Sequence, residues 1–492
     1  GASLMAGSIK EILRHSMVYG AAQVIGRLTS LLLLPVYTRY LTPADYAYIA
    51  ILDLGATAFS LVIGAGMGAA IQRFHFDTED PAHRARVWWT GIFYTASAAG
   101  VFLALTLPYR GELAVALLGD ATPLGAYYVG LMLATIATNV LAEVLGGYLI
   151  VRKWSQWVLV HSVTRLALNA SLNLYFLIAM QLGVGALLLG NLITGAANMT
   201  VLAAVLVYFA RPTFPARRLL VPMLGFGLPL VASSFLSMLM HQADRYVLRL
   251  FVDMSAVGIY SLAYTMGQAV NTLIVLPFGR IWGVMIYDIR DGEDPPREFA
   301  RVFEYFVYGL GLVMLGVSLF ADLILRILTT EPFYPAAEII PIVCFAYLFF
   351  SLSHHFGVPA ILAKRSTALV PPALIGALLN IGLNFLLVPI WGIQAAAWVS
   401  VVTFAAFSFT MLAICRRHMA VPYRLWRCAW VVGVMVLVAV ASRLVTPHWG
   451  LIVSTAVNAL LWTATAAAIA LLAYSERRYW WAPATLAGQG SG

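Results

Sequence analysis

Runs of about twenty apolar residues recur along the whole chain, separated by short polar breaks. Each run is long enough for a helix to cross about 30 Å of hydrocarbon. The pattern predicts about fourteen membrane-spanning helices, near 16–40, 45–72, 87–107, 124–151, 155–180, 183–209, 219–246, 256–282, 301–320, 336–362, 368–390, 392–414, 425–444 and 450–474. Many connections, such as Leu41-Thr42-Pro43-Ala44, are too short to hold structure of their own. The polar positions inside these runs follow a helical period. Ser234, Ser237, His241, Asp244 and Arg245 fall mostly on one side of the seventh run, and His161, Arg165, Asn169 and Asn173 form a four-spaced stripe along the fifth.

The pattern also repeats. Leu168-Asn169 and Leu172-Asn173 precede Gly183-Val184-Gly185-Ala186, and Leu379-Asn380 and Leu383-Asn384 precede Gly392-Ile393-Gln394-Ala395. Thr38-Arg39-Tyr40, ending the first run, parallels Asp244-Arg245-Tyr246, ending the seventh. Six spans per copy is an even number, so both copies enter the membrane from the same side. The expected fold is therefore an all-α polytopic membrane protein. It has a six-helix lobe at 5–210, a second at 211–415 related by a pseudo-two-fold along the membrane normal, and two further C-terminal helices at 416–480, with the transport path between the lobes.

Composition agrees. The chain has 492 residues, 62% of them hydrophobic and 10% charged, whereas a soluble domain carries about 25% charged residues. A net charge of +9 would point to nucleic acid in a soluble protein, but here it is spread over alternate loops, so no nucleic-acid partner is expected. Arg73, Arg84 and Arg86 share one such loop, followed by Arg152 and Lys153; Arg211, Arg217 and Arg218; Arg290 and Arg297; Lys364 and Arg365; Arg416, Arg417, Arg424 and Arg427; and Arg477 and Arg478. The opposite loops carry few basic residues, mainly Arg110, Arg326 and Arg443. By the positive-inside rule both termini are expected to be cytoplasmic. Residues 1–4 and the closing Gly-Gln-Gly-Ser-Gly read as additions to the natural sequence.

Several chemistries lack their residues. The three lysines, Lys10, Lys153 and Lys364, do not follow glycine, so no phosphate-binding Gly-Lys-Ser/Thr loop exists. No His-Glu-x-x-His zinc helix occurs, and His354 and His355 are adjacent, which denies them one shared helix face. Cys344, Cys415 and Cys428 show no metal-ligand spacing, and no disulfide framework is expected. No enzyme activity, catalytic residue, bound metal or cofactor is expected.

What remains is a set of ionisable and amide side chains within spans, each central charge costing about 2.5–3.5 kcal/mol on insertion scales. Such groups line wet cavities or pair with one another. The candidates for a substrate-binding lumen are Gln23, Arg27, Asp53, Glu143, His161, Arg165, His241, Gln268 and Asn271. Asp53 and Glu143 are also candidates for coupling to H⁺ or Na⁺, and Arg73 and Arg280 for a gate. The plainer alternative makes Arg27–Asp53 and Arg165–Glu143 structural ion pairs. For Arg39, Asp45, Asp244 and Arg245, near span ends, snorkelling and helix capping suffice. The paired asparagines suit helix–helix contacts, and Trp88, Trp89, Trp154, Trp157, Trp480 and Trp481 suit an interfacial belt.

Gly227-Leu228-Pro229, an apolar helix, Asp244-Arg245-Tyr246, and then Ala256-Val257-Gly258-Ile259-Tyr260-Ser261-Leu262-Ala263-Tyr264 together resemble the middle of the oligosaccharide flippases. These are the O-antigen and exopolysaccharide repeat-unit exporters of the multidrug/oligosaccharidyl-lipid/polysaccharide (MOP) superfamily. Thr38-Arg39-Tyr40-Leu41-Thr42-Pro43-Ala44-Asp45-Tyr46, Gly66-Met67-Gly68 through Arg73-Phe74, and Gly357 through Ala397 extend the likeness over most of the chain. The resemblance implies a flippase that moves a polyprenyl-pyrophosphate-linked oligosaccharide from the cytoplasmic to the outer leaflet of the bacterial inner membrane, by alternating access, for cell-surface polysaccharide. It also implies membrane lipids as surroundings, and polysaccharide polymerase and glycosyltransferases as partners. Arg27 and Arg165 would meet pyrophosphate or acidic sugar, and Gln23, Gln268 and Asn271 hydroxyls. The alternatives are a cation-coupled multidrug exporter of the same superfamily, a non-transporting scaffold for polysaccharide assembly, and a polymer ligase, which usually has a larger extracytoplasmic loop than any expected here.

Overall fold

The computed structural model describes residues 24–445 and 449–481, except the side chains of 366 and 476–481. In chain order the helices are α1 (24–40), α2 (Pro43–Gly64), α3 (Met67–His75), α4 (Pro81–Thr106), α5 (Arg110–Leu118), α6 (Pro123–Val151), α7 (Ser155–Leu174), α8 (Val184–Phe209) and α9 (Arg217–Phe251). They continue with α10 (Met254–Val270), α11 (Leu276–Arg290), α12 (Pro295–Leu319), α13 (Ala321–Leu328), α14 (Ala336–Phe356), α15 (Val358–Leu362), α16 (Val370–Cys415), α17 (Leu425–Val445) and α18 (Leu451–Trp481). The described residues contain no strand. The protein is an all-α, multi-pass membrane protein.

Helix starts follow from a short polar cap and a proline. At α2, Thr42 Oγ1 accepts from the Asp45 N–H at 3.2 Å while Asp45 accepts from the Thr42 N–H at 2.8 Å, and Pro43 takes a position whose N–H would have had no partner. Asp45 is thus a capping residue. Asp80 accepts from the N–H groups of Ala82 and His83 at 3.0 and 3.1 Å ahead of α4, and Thr122 accepts from Gly125 N–H at 3.2 Å ahead of α6, again with proline next in line.

Eleven stretches among the described residues are long and apolar enough to cross a membrane, fewer than the expected spans for three physical reasons. The first span is described only from residue 24. Helix α7 carries His161, Arg165 and two asparagines, which lower its hydropathy. The stretch α16 holds two expected spans, two helical segments that follow each other without a loop and together take 46 residues. At about 1.5 Å per residue each segment is long enough to cross the hydrocarbon, and the two meet at Gly392, where φ is 56° and ψ −135°. Gly183, just before α8, has nearly the same backbone, φ 56° and ψ −130°. Only a residue without Cβ takes this conformation readily, so the two glycines matched in the sequence do the same local job.

The paired asparagines repeat as well. Asn173 Nδ2 donates to Asn169 Oδ1 at 3.1 Å, and Asn384 Nδ2 to Asn380 Oδ1 at 3.2 Å. Each ladder then reaches a neighbouring helix. Asn169 Nδ2 donates to Asn191 Oδ1 of α8 at 2.9 Å, Asn173 Nδ2 to the Tyr37 hydroxyl of α1 at 3.3 Å, and Asn380 Nδ2 to the Met240 carbonyl of α9 at 3.3 Å. These residues act as helix–helix contacts, as their type suggested.

Backbone contacts divide the chain into two compact units, 1–261 with 380–393, and 262–379 with 394–492. In the first unit, α3, α4, α6, α8 and α9 meet around Met67, Ile71, Trp88, Leu145, Tyr148, Leu202 and Met223. Trp88 is therefore not a belt residue. It is 1% exposed, its ring meets Tyr148 edge-on, and its indole N–H donates to His75 Nδ1 at 3.0 Å. Burial, with Arg84 and Arg152 nearby, holds the His75 imidazole below its ordinary pKa, which keeps this nitrogen available as an acceptor. Trp157 is exposed, as a belt residue should be; the side chains of Trp480 and Trp481 lie outside the described residues.

In the second unit, α12, α17 and α18 pack around Tyr308, Leu315, Val431, Met435 and Ile469. An ion pair joins α12 to the residue ahead of α17. Glu304 on α12, 2% exposed, accepts from the Tyr308 hydroxyl at 3.0 Å and lies 3.7 Å from the Arg424 guanidinium. Further along α14, His355 is 1% exposed, with its ring among those of Phe278, Trp282, Phe303 and Phe306. All three cysteines are buried and free.

Candidate functional site

One group of ionisable side chains in the first unit lies on α1, α2, α9 and α10. Tyr46 and Asp53 are seven residues apart on α2, two turns along one face. Arg27 on α1 and Asp53 both act electrostatically on Tyr46, which places the two residues expected to pair in one electrostatic neighbourhood. Asp53, exposed on α2, has its own electrostatic partner in Arg245 of α9. Arg245 also faces His241, one turn earlier, and donates to the His241 carbonyl at 3.1 Å.

Asp244 and Arg245 are 0% and 8% exposed. Snorkelling does not describe them, because neither head reaches the surface. Asp244 accepts hydrogen bonds from Tyr260 of α10 and from the Arg245 N–H, and lies 3.8 Å from the Arg245 guanidinium. Arg27, Tyr46, Asp53, His241, Asp244, Arg245 and Tyr260 thus form one polar cluster spanning four helices. Tyr46, Asp244, Arg245 and Tyr260 are not among the sequence candidates. The seven-residue spacing to Asp53 was the signal available for Tyr46; Tyr260 carried none beyond its place in the Ala256–Tyr264 motif.

A second group lies on α7 and α8. His161 is half-buried beside Asn198 and Arg165, and Arg165 is exposed. Glu143 is exposed on α6, and no ion pair joins it to Arg165 among the described residues. The structural-pair alternative fails for this pair. Gln23 lies outside the described residues. Gln268, Asn271 and Arg280 belong to the second unit. Gln268 and Arg280 are half-buried, while Asn271 is buried in the π-helical turn Asn271–Val275 with no hydrogen-bond partner for Oδ1 among the described residues.

Arg73 places its guanidinium over the Phe226 ring of α9, 4.9 Å from the centroid. Beside this contact α9 crosses the break between α2 and α3. Ala65 and Gly66 there have φ of 45° and 68°, and a Cβ on Gly66 would collide with the Gly227 backbone. A side chain at Gly227 would in turn strike Ala65 O. The crossing has room only for glycine, and Pro222 and Pro229 within α9 weaken the helix on both sides of it.

Residues 12–282 match the family model described as polysaccharide biosynthesis protein. The chain belongs to this family. No curated protein matches the sequence. Among solved structures, the fold is similar to the lipid II flippase MurJ in an inward closed conformation, with a TM-score of 0.74 at 11% identity over 93% of this chain and 98% of that one. It is also similar to an inward-facing multidrug resistance MATE transporter of the MOP superfamily, with a TM-score of 0.64 at 15% identity over 80% and 97% of the two chains. A third similar structure is a MOP superfamily transporter from Pyrococcus furiosus described as having a binding pocket of reversed polarity, with a TM-score of 0.55 at 16% identity over 83% and 95%. The family member described here thus has the fold of the MOP superfamily transporters.

Proposed function

We propose that the protein is a flippase carrying a polyprenyl-pyrophosphate-linked oligosaccharide from the cytoplasmic to the outer leaflet of the bacterial inner membrane, for cell-surface polysaccharide synthesis. The observation that carries this reading is the polar cluster of Arg27, Tyr46, Asp53, His241 and Arg245 in a helical unit of a polysaccharide biosynthesis family member. A glycan headgroup cannot cross hydrocarbon unaided, because its hydroxyls would lose their hydrogen bonds. Guanidinium, phenol and carboxylate groups supply replacements, and the lipid tail stays in the bilayer. The exposed Arg165 supplies a second cationic contact for pyrophosphate or acidic sugar, and the half-buried His161 imidazole beside it a hydrogen-bonding group.

The basic loops support a topology with both termini in the cytoplasm. With the cell interior negative, outward movement of anionic charge gains about 2.3 kcal/mol per charge per 100 mV. Asp53 and Glu143 are the carboxylates for any added H⁺ or Na⁺ coupling; transport that survives collapse of each ion gradient at fixed voltage rules that coupling out. The flippase reading is tested by mass spectrometry of polyprenyl-linked glycans in cells with and without the gene, together with an assay of their sidedness. Accumulation of an intact repeat unit on the cytoplasmic leaflet is the expected result. Unchanged lipid-linked glycans with new sensitivity to cationic drugs would replace this reading with multidrug export.

A further inference from the structure

Three basic residues stand out in the sequence because they lie on the loops opposite the basic ones, and the fold brings two of them, Arg326 and Arg443, to one cavity. The cavity has a volume of about 710 Å³, within the range of small-molecule sites. It lies in the second unit, where the C-terminal ends of α12 and α17 meet the N-terminal ends of α14 and α18 beside α13. Its polar end carries Asp322, Arg326, Glu338 and Arg443, two acids and two bases. Leu315, Leu348 and Met435 line the deeper part, and Gly311, two turns beyond Leu319, sets its floor about 12 Å down α12. The rim residues Trp398, Val436 and Val440 are apolar and exposed, at 52%, 37% and 49%.

The walls are fastened to each other. Arg443 donates to the carbonyls of Ala337 and Glu338, Asn458 Nδ2 to the Leu319 carbonyl at 2.7 Å, and the Trp462 indole N–H to the Leu312 carbonyl at 2.9 Å. Helices α17 and α18 are thereby held to α12 and α14 around a preformed space, and the Arg326 guanidinium is set over the Tyr334 ring at 4.9 Å.

We propose that this cavity binds one phospholipid with a phosphoethanolamine headgroup. The layering matches such a lipid: charged groups where the helices end, apolar walls beneath them, and an apolar rim through which the chains reach the bilayer. The balance of charge selects the head. A purely anionic head would face Asp322 and Glu338 as well as the arginines. A phosphoethanolamine offers its phosphate to Arg326 and Arg443 and its three ammonium donors to the two carboxylates. Phosphocholine has the same charges but no N–H to donate. The site does not depend on what the protein transports.

The test is native mass spectrometry of the purified full-length protein, delipidated and re-equilibrated in mixed micelles with phosphatidylethanolamine, phosphatidylcholine and phosphatidylglycerol of identical chains. One phosphatidylethanolamine is expected to be retained about tenfold more than either competitor, the difference that loss of charge-assisted bonds produces. Asp322→Asn should erase the preference over phosphatidylcholine, and Arg326→Gln should lower retention of both zwitterionic lipids. Val436→Trp, at the exposed rim and outside the charged end, should block retention of all three while the protein stays monodisperse. Equal retention of the three lipids, a preference for phosphatidylglycerol, or a preference untouched by all three variants would overturn the proposal.

Discussion

The two asparagine ladders share a sequence spacing and an internal hydrogen bond, yet their surroundings differ. In the second copy Asn380 and Asn384 are 0% exposed, and the residues one and two turns ahead, Gly376 and Pro372, are buried as well. In the first copy the corresponding turns carry Arg165 and His161, exposed and half-buried, and Asn169 is half-buried. The repeated element holds helices together in both places. Only the first copy adds titratable and cationic groups to it and leaves them accessible. Parts common to both copies are therefore the scaffold, and side chains found in one copy are the candidates for function.

That division has measurable consequences. The largest concerns Arg165. Arg165→Ala should reduce transport of the proposed lipid-linked glycan by about tenfold, through loss of a charge-assisted contact on an accessible surface, while thermal stability stays within about 0.5 kcal/mol. Loss of folding instead of transport would make Arg165 part of the scaffold. Next comes the buried ladder. Asn384→Leu should destabilise the protein by about 1–2 kcal/mol, since Asn380 Oδ1 loses its donor in a buried setting, and Asn169→Leu should cost less because its site is more open. Thermal unfolding in detergent separates the two, and equal losses would remove the contrast.

The glycines should behave alike, in opposition to the ladders. Gly183→Ala and Gly392→Ala are each expected to cost about 1–2 kcal/mol, because both impose the same positive φ on a residue with a Cβ. A clear inequality in the same unfolding assay would show that the matched backbones do different work. The smallest effect lies away from the ladders and the matched glycines, at Asp120 in the α5–α6 connection. Hydrogen bonds from Thr122, and from the Tyr48 hydroxyl at 3.3 Å, hold its carboxyl below the usual range. Its contribution to stability is present above the unfolded carboxylate pKa of about 3.9 and fades as pH falls through the lower folded value. The acid limb of the stability profile should therefore be slightly shallower in Asp120→Asn than in the wild type.

Much of this was legible residue by residue. Thr42, Asp80 and Thr122, each followed by proline, mark helix starts by chemistry confined to a few neighbours. The four-residue spacing of Asn169 and Asn173, and of Asn380 and Asn384, already implied one helix face. Arg245 shows where such reading stops. Near the end of an apolar run it has the pattern of a snorkelling anchor; its burial, and its electrostatic contact with Asp53 on α2, come from a helix far away in the chain. Trp88 is the same lesson for an aromatic residue. An edge position suggests the membrane interface, and only the approach of α3 and α6 supplies His75 and Tyr148 to cover it.

By itself the sequence determined the class of the protein, its many apolar helices, its repeat and the local caps and breaks, because these depend on hydrophobic length and on partners within one or two turns. Tertiary structure alone decided which charges are buried, which of them meet, and that Arg326 and Arg443 share a cavity, because electrostatic contact and burial depend on distances in space between helices whose separation along the chain sets no such limit.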